Sequence, residues 1–372
     1  MKKIVVTGGA GFIGRHLLEA LSRQPDLSIS DLDGRASPTE FDQSLLEADV
    51  VFHLAGVNRP VSETEFEAGN VGLTARICDT LRSGERRPLM VMTSSIQAES
   101  NSPYGVSKRR GESVIVNWTN SGGGTAVVFR LKNAFGKWCR PNYNSVTATF
   151  CHNIARDLPI AISDPNKELE LVYIDDVIRA LIGCLDCPPA GAFEYRDVAR
   201  SYRVTLGELA DAIRDFRDSR RTLVLPGGDD EFLGKLYVTY LSYLGHDDFG
   251  YGLEKRVDAR GCLAEFLKSP KMGQIFVSRT KPGVTRGNHY HHSKTEKFLV
   301  LEGDAVVRFR QYGNRECLEY RVSGVDLKVI DIPPGYTHSI ENIGQGELVT
   351  LFWANEIFDP ARPDTIALPV LE

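Results

Sequence analysis

The chain has 372 residues, a quarter of them charged, and a formal net charge of −5 at pH 7. That length exceeds one ordinary compact core and implies two domains. There is no Lys/Arg block, no basic aromatic stripe and no apolar run of membrane-span length, so neither nucleic acid nor a bilayer is expected as a partner. The first residues lead into a strand and a glycine turn rather than a signal peptide's apolar core, and a cytoplasmic protein is expected.

A first strand is predicted at Ile4 to Thr7, running into Gly8-Gly9-Ala10-Gly11-Phe12-Ile13-Gly14. Glycines at 8, 11 and 14 let the backbone turn tightly and approach a pyrophosphate, and Phe12 and Ile13 open a helix whose free N–H groups would hold that anion. The second strand ends near Asp31. A carboxylate there would accept the ribose 2′-OH of NAD, whereas Arg35 would pair with the 2′-phosphate of NADP; NADPH is the expected cofactor. Gly34 to Asp42 is too short and polar for the further strand and crossover that belong there, so one sheet element is expected to be reduced.

Strands follow at Val50 to Leu54, with Leu54-Ala55-Gly56 lining the cofactor, at Leu89 to Thr93, and at Val127 to Leu131. Ser94-Ser95 closes the Leu89 to Thr93 run, and Tyr104-Gly-Val-Ser-Lys108 opens the next helix. Three residues between Tyr and Lys put both on one helical face. There the ammonium should lower the phenol pKa and reach the ribose, while Ser95 hydrogen-bonds the oxygen with which Tyr104 exchanges a proton. Ser95, Tyr104 and Lys108 are the candidate catalytic residues. Strand and helix in alternation imply an α/β fold, a Rossmann-type doubly wound parallel sheet. Cys184 and Cys187 form a Cys-x-x-Cys pair that reads as a helix end.

Phe232 to Leu244 carries a short helical pattern and serves as connector. Beyond Gly252 come short β-rich runs, Gln274 to Ser278, Glu296 to Leu301, Ala305 to Gln311, Lys328 to Ile332 and Leu348 to Trp353, implying an all-β barrel or sandwich. The division is placed at 1–248 and 249–372. The second part contains His289-Tyr-His291, then Glu296, then His338 in Pro333-Pro-Gly335-Tyr-Thr-His338. Two His one residue apart share a strand face, and Glu296 and His338 can converge on them. Three imidazoles and a carboxylate suit Zn²⁺ best, with Fe²⁺, Mn²⁺ or Ni²⁺ as alternatives.

The first half resembles the extended short-chain dehydrogenase/reductases, on the glycine loop, Asn70, Ser95, Tyr104, Lys108, Arg130 to Gly136 and Tyr173-Ile-Asp175-Asp176. That resemblance implies that Asn133 contacts a nucleotide-sugar substrate. Ile96-Gln97 stands where the family's dehydratases carry Asp-Glu, which disfavours dehydration. The second half resembles the cupins, whose two motifs it matches from Gly283 to Gly303 and from Pro333 to Asn342, with Leu327 standing where the family has Gly. Asp258-Ala-Arg260-Gly261 and Gly283 to Tyr290 also resemble the cupin-fold epimerases of 4-keto-6-deoxy sugar nucleotides; many of these are metal-free and use the histidine at position 289 as base.

As a whole, the chain resembles two-domain bacterial capsule enzymes in which a reductase carries a C-terminal zinc cupin. Shared stretches include His53 to Pro60, Phe135 to Cys139, Pro141 to Val146 and Asn288 to His292. The resemblance implies that the cupin epimerises C3 of a UDP-2-acetamido-2,6-dideoxy-4-hexulose, after which the reductase uses NADPH at C4 to give UDP-2-acetamido-2,6-dideoxy-L-talose. Arg59 and Lys137, with Lys132 and Arg140, would hold the UDP diphosphate, and a homodimer is expected. The alternative is a single-activity reductase or 4-epimerase with a structural, dimerising cupin.

Overall fold

The computed structural model describes residues 1–32 and 36–371, and the chain forms two compact units, Met1–Arg214 with Lys235–Gly245, and Asp215–Gly234 with His246–Glu372. The first half runs β1 (Lys2–Thr7), α1 (Phe12–Ser22), β2 (Leu27–Leu32), α2 (Pro38–Leu46) and β3 (Val50–His53). It continues with α3 (Thr64–Phe66), a π-helical turn at Glu67–Gly72, α4 (Leu73–Ser83), β4 (Leu89–Ser95), α5 (Pro103–Asn120) and β5 (Thr125–Leu131). Then come β6 (Asn133–Phe135), α6 (Val146–Ile154), β7 (Glu168–Tyr173), α7 (Ile174–Gly183), β8 (Phe193–Arg196), β9 (Tyr202–Thr205), α8 (Leu206–Thr222) and α9 (Glu231–Leu241).

Six parallel strands in the order β2-β1-β3-β4-β5-β8 make the main sheet. Ile4 to Thr7 and all of Val50 to His53 are buried, as strands covered on both faces must be. Val5, Val51, Met90, Met92, Ala126 and Val128 pack against Phe41 and Leu45 of α2, Ile77 and Leu81 of α4, and Ile115 and Trp118 of α5. A doubly wound sheet ordinarily carries a further strand outside β2. Among the described residues that strand is missing, and the reduction expected from Gly34 to Asp42 lies there. The connection to β3 includes α2, started by Ser37 as N-cap, Pro38 in the first turn and a reciprocal Ser37–Glu40 capping box.

The C-terminal part consists of β10 (Lys255–Asp258), β11 (Gly261–Ser269), β12 (Gly273–Thr280), β13 (Thr285–Tyr290), β14 (Glu296–Glu302) and β15 (Asp304–Gln311). β16 (Cys317–Ser323), β17 (Val329–Ile332), β18 (Tyr336–Asn342), β19 (Leu348–Ala354) and β20 (Ile366–Ala367) complete it. These form two antiparallel sheets, β10-β11-β12-β19-β14-β17 and β16-β15-β18-β13-β20. Phe298, Ile332, Leu348 and Phe352 from the first sheet meet Val307, Phe309, Val322 and Ile340 from the second. Leu327, which replaces the expected Gly, adopts φ +47 at an exposed turn before β17, so the left-handed backbone persists without the residue that favours it.

Candidate active site and metal centre

The glycine loop joins β1 to α1. Gly8 has φ +76, and a Cβ on it would stand 2.7 Å from the Ala55 nitrogen; one on Gly14 would stand 2.1 Å from the Gly8 carbonyl oxygen. Only glycine permits that closeness. Gly11 caps α1 with no side-chain hydrogen bond, which leaves the first-turn amides at Phe12 and Ile13 available to an anion. Leu54 and Ala55 donate their N–H groups to the Thr7 carbonyl and hydroxyl, which sets Gly56 beside the loop. A Cβ on Gly9 would stand 2.1 Å from the carboxylate of Asp31, near the end of β2. Arg35 lies outside the described residues.

Ser95 ends β4, and Tyr104 and Lys108 share one face of α5, which Ser102 and Pro103 start. Burial pushes the Tyr104 phenol up from its ordinary pKa, and a hydrogen bond from Ser95 opposes this. The expected lowering by Lys108 is not what governs Tyr104: desolvation is the larger effect, and Ser95 is the group that counters it. Lys108 is buried and donates to the Thr93 carbonyl at 3.0 Å. Desolvation lowers its pKa to about 8, against the opposing charge of Glu112. A Cβ on Gly56 would stand 3.6 Å from Lys108 Nζ, so the ammonium faces the Leu54 to Gly56 segment.

Two supports went unread in the sequence. Glu112, one turn beyond Lys108 and 2% exposed, accepts from Ser94 Oγ at 2.5 Å, Arg130 Nη2 at 2.6 Å and the Tyr195 hydroxyl at 3.1 Å. The spacing Tyr104, Lys108, Glu112 is the signal that would have found it. His53 is buried between the hydroxyls of Thr7 and Thr74, at 2.8 and 2.9 Å, and desolvation holds its pKa at about 3. Asn70, in the π-helical turn, ties Val57 to Ser107 of α5 through three hydrogen bonds.

Of the candidate substrate residues, Asn133 is exposed on β6 and donates to the Glu170 carbonyl at 3.3 Å. Lys137 pairs with Asp175 at 3.2 Å and Lys132 with Glu170 at 3.0 Å, so both cations already have carboxylate partners. Arg59 and Arg140 have none among the described residues. Both guanidinium groups lie over the Tyr143 ring, 5.6 and 5.1 Å from its centroid, and Arg59 also donates to Asn144. Cys184 and Cys187 are free thiols at the end of α7.

The metal candidates converge. One ligand atom from each of His289, His291, Glu296 and His338 lies within 4.8 Å of all the others. A bulge at Gly287 and Asn288, with φ +92 and +60, puts His289 in register with His338. His291 Nε2 and His338 Nε2 are buried with no hydrogen-bond partner, and face Glu296 Oε2 at 3.5 and 3.6 Å. Burial and the neighbouring imidazoles of His338 and His291 lower the His289 pKa to about 4. Burial pushes the Glu296 carboxyl up, yet His291, His338 and Lys294 outweigh it and hold the group well below the carboxylate range. Three imidazoles, two of them with orphaned buried nitrogens, and one ionised carboxylate are a donor set that fits a divalent cation.

Two family models match the chain: the NAD dependent epimerase/dehydratase family over residues 4–193, and the polysaccharide biosynthesis C-terminal domain over 256–366. A Pseudomonas aeruginosa protein named UDP-2-acetamido-2,6-beta-L-arabino-hexul-4-ose reductase is 42% identical, covering 100% of this chain and 99% of its own. The crystal structure of the capsular polysaccharide assembling protein CapF from Staphylococcus aureus superposes with TM-score 0.90 at 45% identity, covering 99% of this chain and 100% of that one. The chain belongs to the CapF family. A UDP-glucuronic acid 4-epimerase from Bacillus cereus, solved with NAD, is 19% identical with TM-score 0.53 over 58% of this chain and 83% of its own, which shows a shared fold for the first half alone. No helix among the described residues is long and apolar enough to cross a membrane.

Proposed function

We propose that this chain is a bifunctional UDP-sugar enzyme. Its C-terminal part epimerises C3 of a UDP-2-acetamido-2,6-dideoxy-4-hexulose, and its N-terminal part reduces the C4 ketone with NADPH to the L-talose product, for polysaccharide synthesis. The observation that carries the reading is the presence in one chain of the Ser95, Tyr104 and Lys108 set and of four convergent metal ligands. The chain is also similar over its full length to a protein named for reduction of such a hexulose.

The glycine loop from Gly8 to Gly14 would hold the reduced nicotinamide cofactor, whose chemistry when bound would be hydride donation to C4. Tyr104, kept protonated by burial, gives its proton to the C4 oxygen, and Ser95 donates a hydrogen bond to the same atom. Lys108, facing Gly56, holds the ribose of the cofactor. Arg59 and Arg140, flanking Tyr143, take the diphosphate. In the C-terminal part His289, His291, Glu296 and His338 would hold a divalent cation, whose chemistry there would be Lewis-acid stabilisation of negative charge on the C4 oxygen. The ketone is what acidifies C3, so epimerisation comes first and reduction then locks the new configuration.

Incubating the 4-keto sugar nucleotide with the enzyme in D₂O without NADPH tests the two halves separately. Deuterium is expected at C3, and none with His289→Ala protein of intact fold. No exchange with the wild-type enzyme would remove the epimerase half and leave a single-activity reductase. Absence of NADPH oxidation with any 4-keto sugar would remove the reductase half.

A further inference from the structure

The residues that hold the metal ligands in place come from a C-terminal strap of irregular backbone around Asp364. Its backbone carbonyl accepts a hydrogen bond from His291 Nδ1, which leaves Nε2 as the ring atom facing the ligand cluster. Its carboxylate accepts the backbone N–H groups of His292, Ser293 and Lys294, at 2.9, 2.8 and 2.9 Å for the nearer oxygens, together with the Ser293 hydroxyl at 3.1 Å. The next residue, Thr365, accepts from Lys294 Nζ at 3.4 Å, and that ammonium stands 3.3 Å from Glu296 Oε1. Beyond it, Ala367 of β20 pairs with His289, and Leu368 and Val370 donate to the Asn288 carbonyl and side-chain oxygens.

Every segment that presents a ligand from β13 through the start of β14 is therefore tied to one short stretch some seventy residues further along the chain. A turn with three successive amides pointing the same way needs an anion or a carboxylate to satisfy them, and Asp364 is that carboxylate. We propose that Asp364 is a positioning residue for the metal centre: the strap sets the tautomer of His291 and, through Thr365 and Lys294, the orientation of Glu296, before any ion arrives. The inference rests on the reading of the four-ligand cluster as a metal site. Groups that hold the second nitrogen of a metal-bound histidine are worth about 10- to 100-fold in metal affinity.

Zinc affinity of the full-length chain, measured by competition with a chromophoric chelator, tests this in the wild type, in Asp364→Ala and in Asp359→Asn. Asp359 caps a turn on the same strap, accepting from the Ala361 N–H and from Arg362 Nε, and bonds to none of the four ligand residues among the described residues. Asp364→Ala is expected to bind zinc about 10- to 100-fold more weakly and to change the visible spectrum of the cobalt form, with Asp359→Asn within about twofold of wild type. An Asp364→Ala protein that matches wild type in affinity and spectrum overturns the proposal, whereas a wild type that binds no zinc defeats the metal-site reading itself. Should Asp364→Ala not fold, hydrogen exchange of metal-free wild type decides: slow exchange at the His292, Ser293 and Lys294 amides supports a preformed strap. Fast exchange that slows only on adding zinc overturns it.

Discussion

His289 sits directly across the ladder from His338, their rings 4.6 Å apart, because one extra residue is inserted in β13 immediately before it. Without the insertion, the two-residue alternation of the strand would pair different positions and turn the ring away from Glu296. The bulge depends on Gly287, whose Cβ, were there one, would lie 2.8 Å from the His338 carbonyl oxygen at φ +92. Gly287→Ala should destabilise the C-terminal part by about 1–3 kcal/mol and reduce zinc occupancy, read by thermal melting and metal analysis of the purified protein.

Tyr104 and Lys108 are tuned in opposite directions by the same cause, burial. Replacing Tyr104 with Phe removes the proposed proton donor and should lower the turnover number about 10²- to 10⁴-fold while leaving cofactor binding within a few-fold, measured by single-turnover NADPH oxidation and by fluorescence titration.

The pH dependence should follow Lys108. Its folded pKa of about 8 lies below the ordinary lysine value of 10.5, so the ammonium that faces the Leu54 to Gly56 segment is lost as pH rises through 8. Cofactor affinity is expected to fall above that pH. Glu112→Gln withdraws the charge that opposes desolvation and should move the fall to lower pH, in titrations of cofactor binding. For stability the sign is the reverse: between the two pKa values the unfolded chain binds the proton more tightly, so this group's contribution to folding improves as pH rises across that window.

Arg59 and Arg140 share one ring and have no carboxylate partner among the described residues, unlike Lys132 and Lys137. Alanine at either arginine should raise KM for the sugar nucleotide about tenfold at little change in kcat, the loss expected for one charge-assisted hydrogen bond of ~1.5 kcal/mol. Alanine at Lys132 should have a smaller effect on KM. Steady-state kinetics with UDP as competitive inhibitor separates diphosphate from sugar contacts.

Leu327 holds a left-handed turn that glycine would adopt freely. Leu327→Gly should stabilise the C-terminal part by up to about 1 kcal/mol, since relief of the αL penalty exceeds the extra chain entropy of glycine. Denaturant unfolding checks this, and zinc affinity should be unchanged.

Much of this was legible in the linear sequence because it is local. The Gly8 to Gly14 loop works through backbone geometry within a few residues, Tyr104 and Lys108 meet because a helix turns in 3.6 residues, and His289, His291 and Glu296 lie close together along the chain, from the end of β13 to the start of β14. The alternation of apolar runs determined the parallel sheet in the same way, and the short polar stretch from Gly34 to Asp42 pointed to a reduced sheet element. What only the tertiary structure decided was the balance of long-range effects. Burial, a property of everything packed around a residue, set the Tyr104 phenol upward where the helical neighbour alone suggested the opposite. Partners distant in sequence occupied Lys132 and Lys137 and left Arg59 and Arg140 to meet over Tyr143. The strap at Asp364 carries no spacing that marks it, because a carboxylate satisfying three amides across some seventy residues becomes visible only when the chain has folded back on itself.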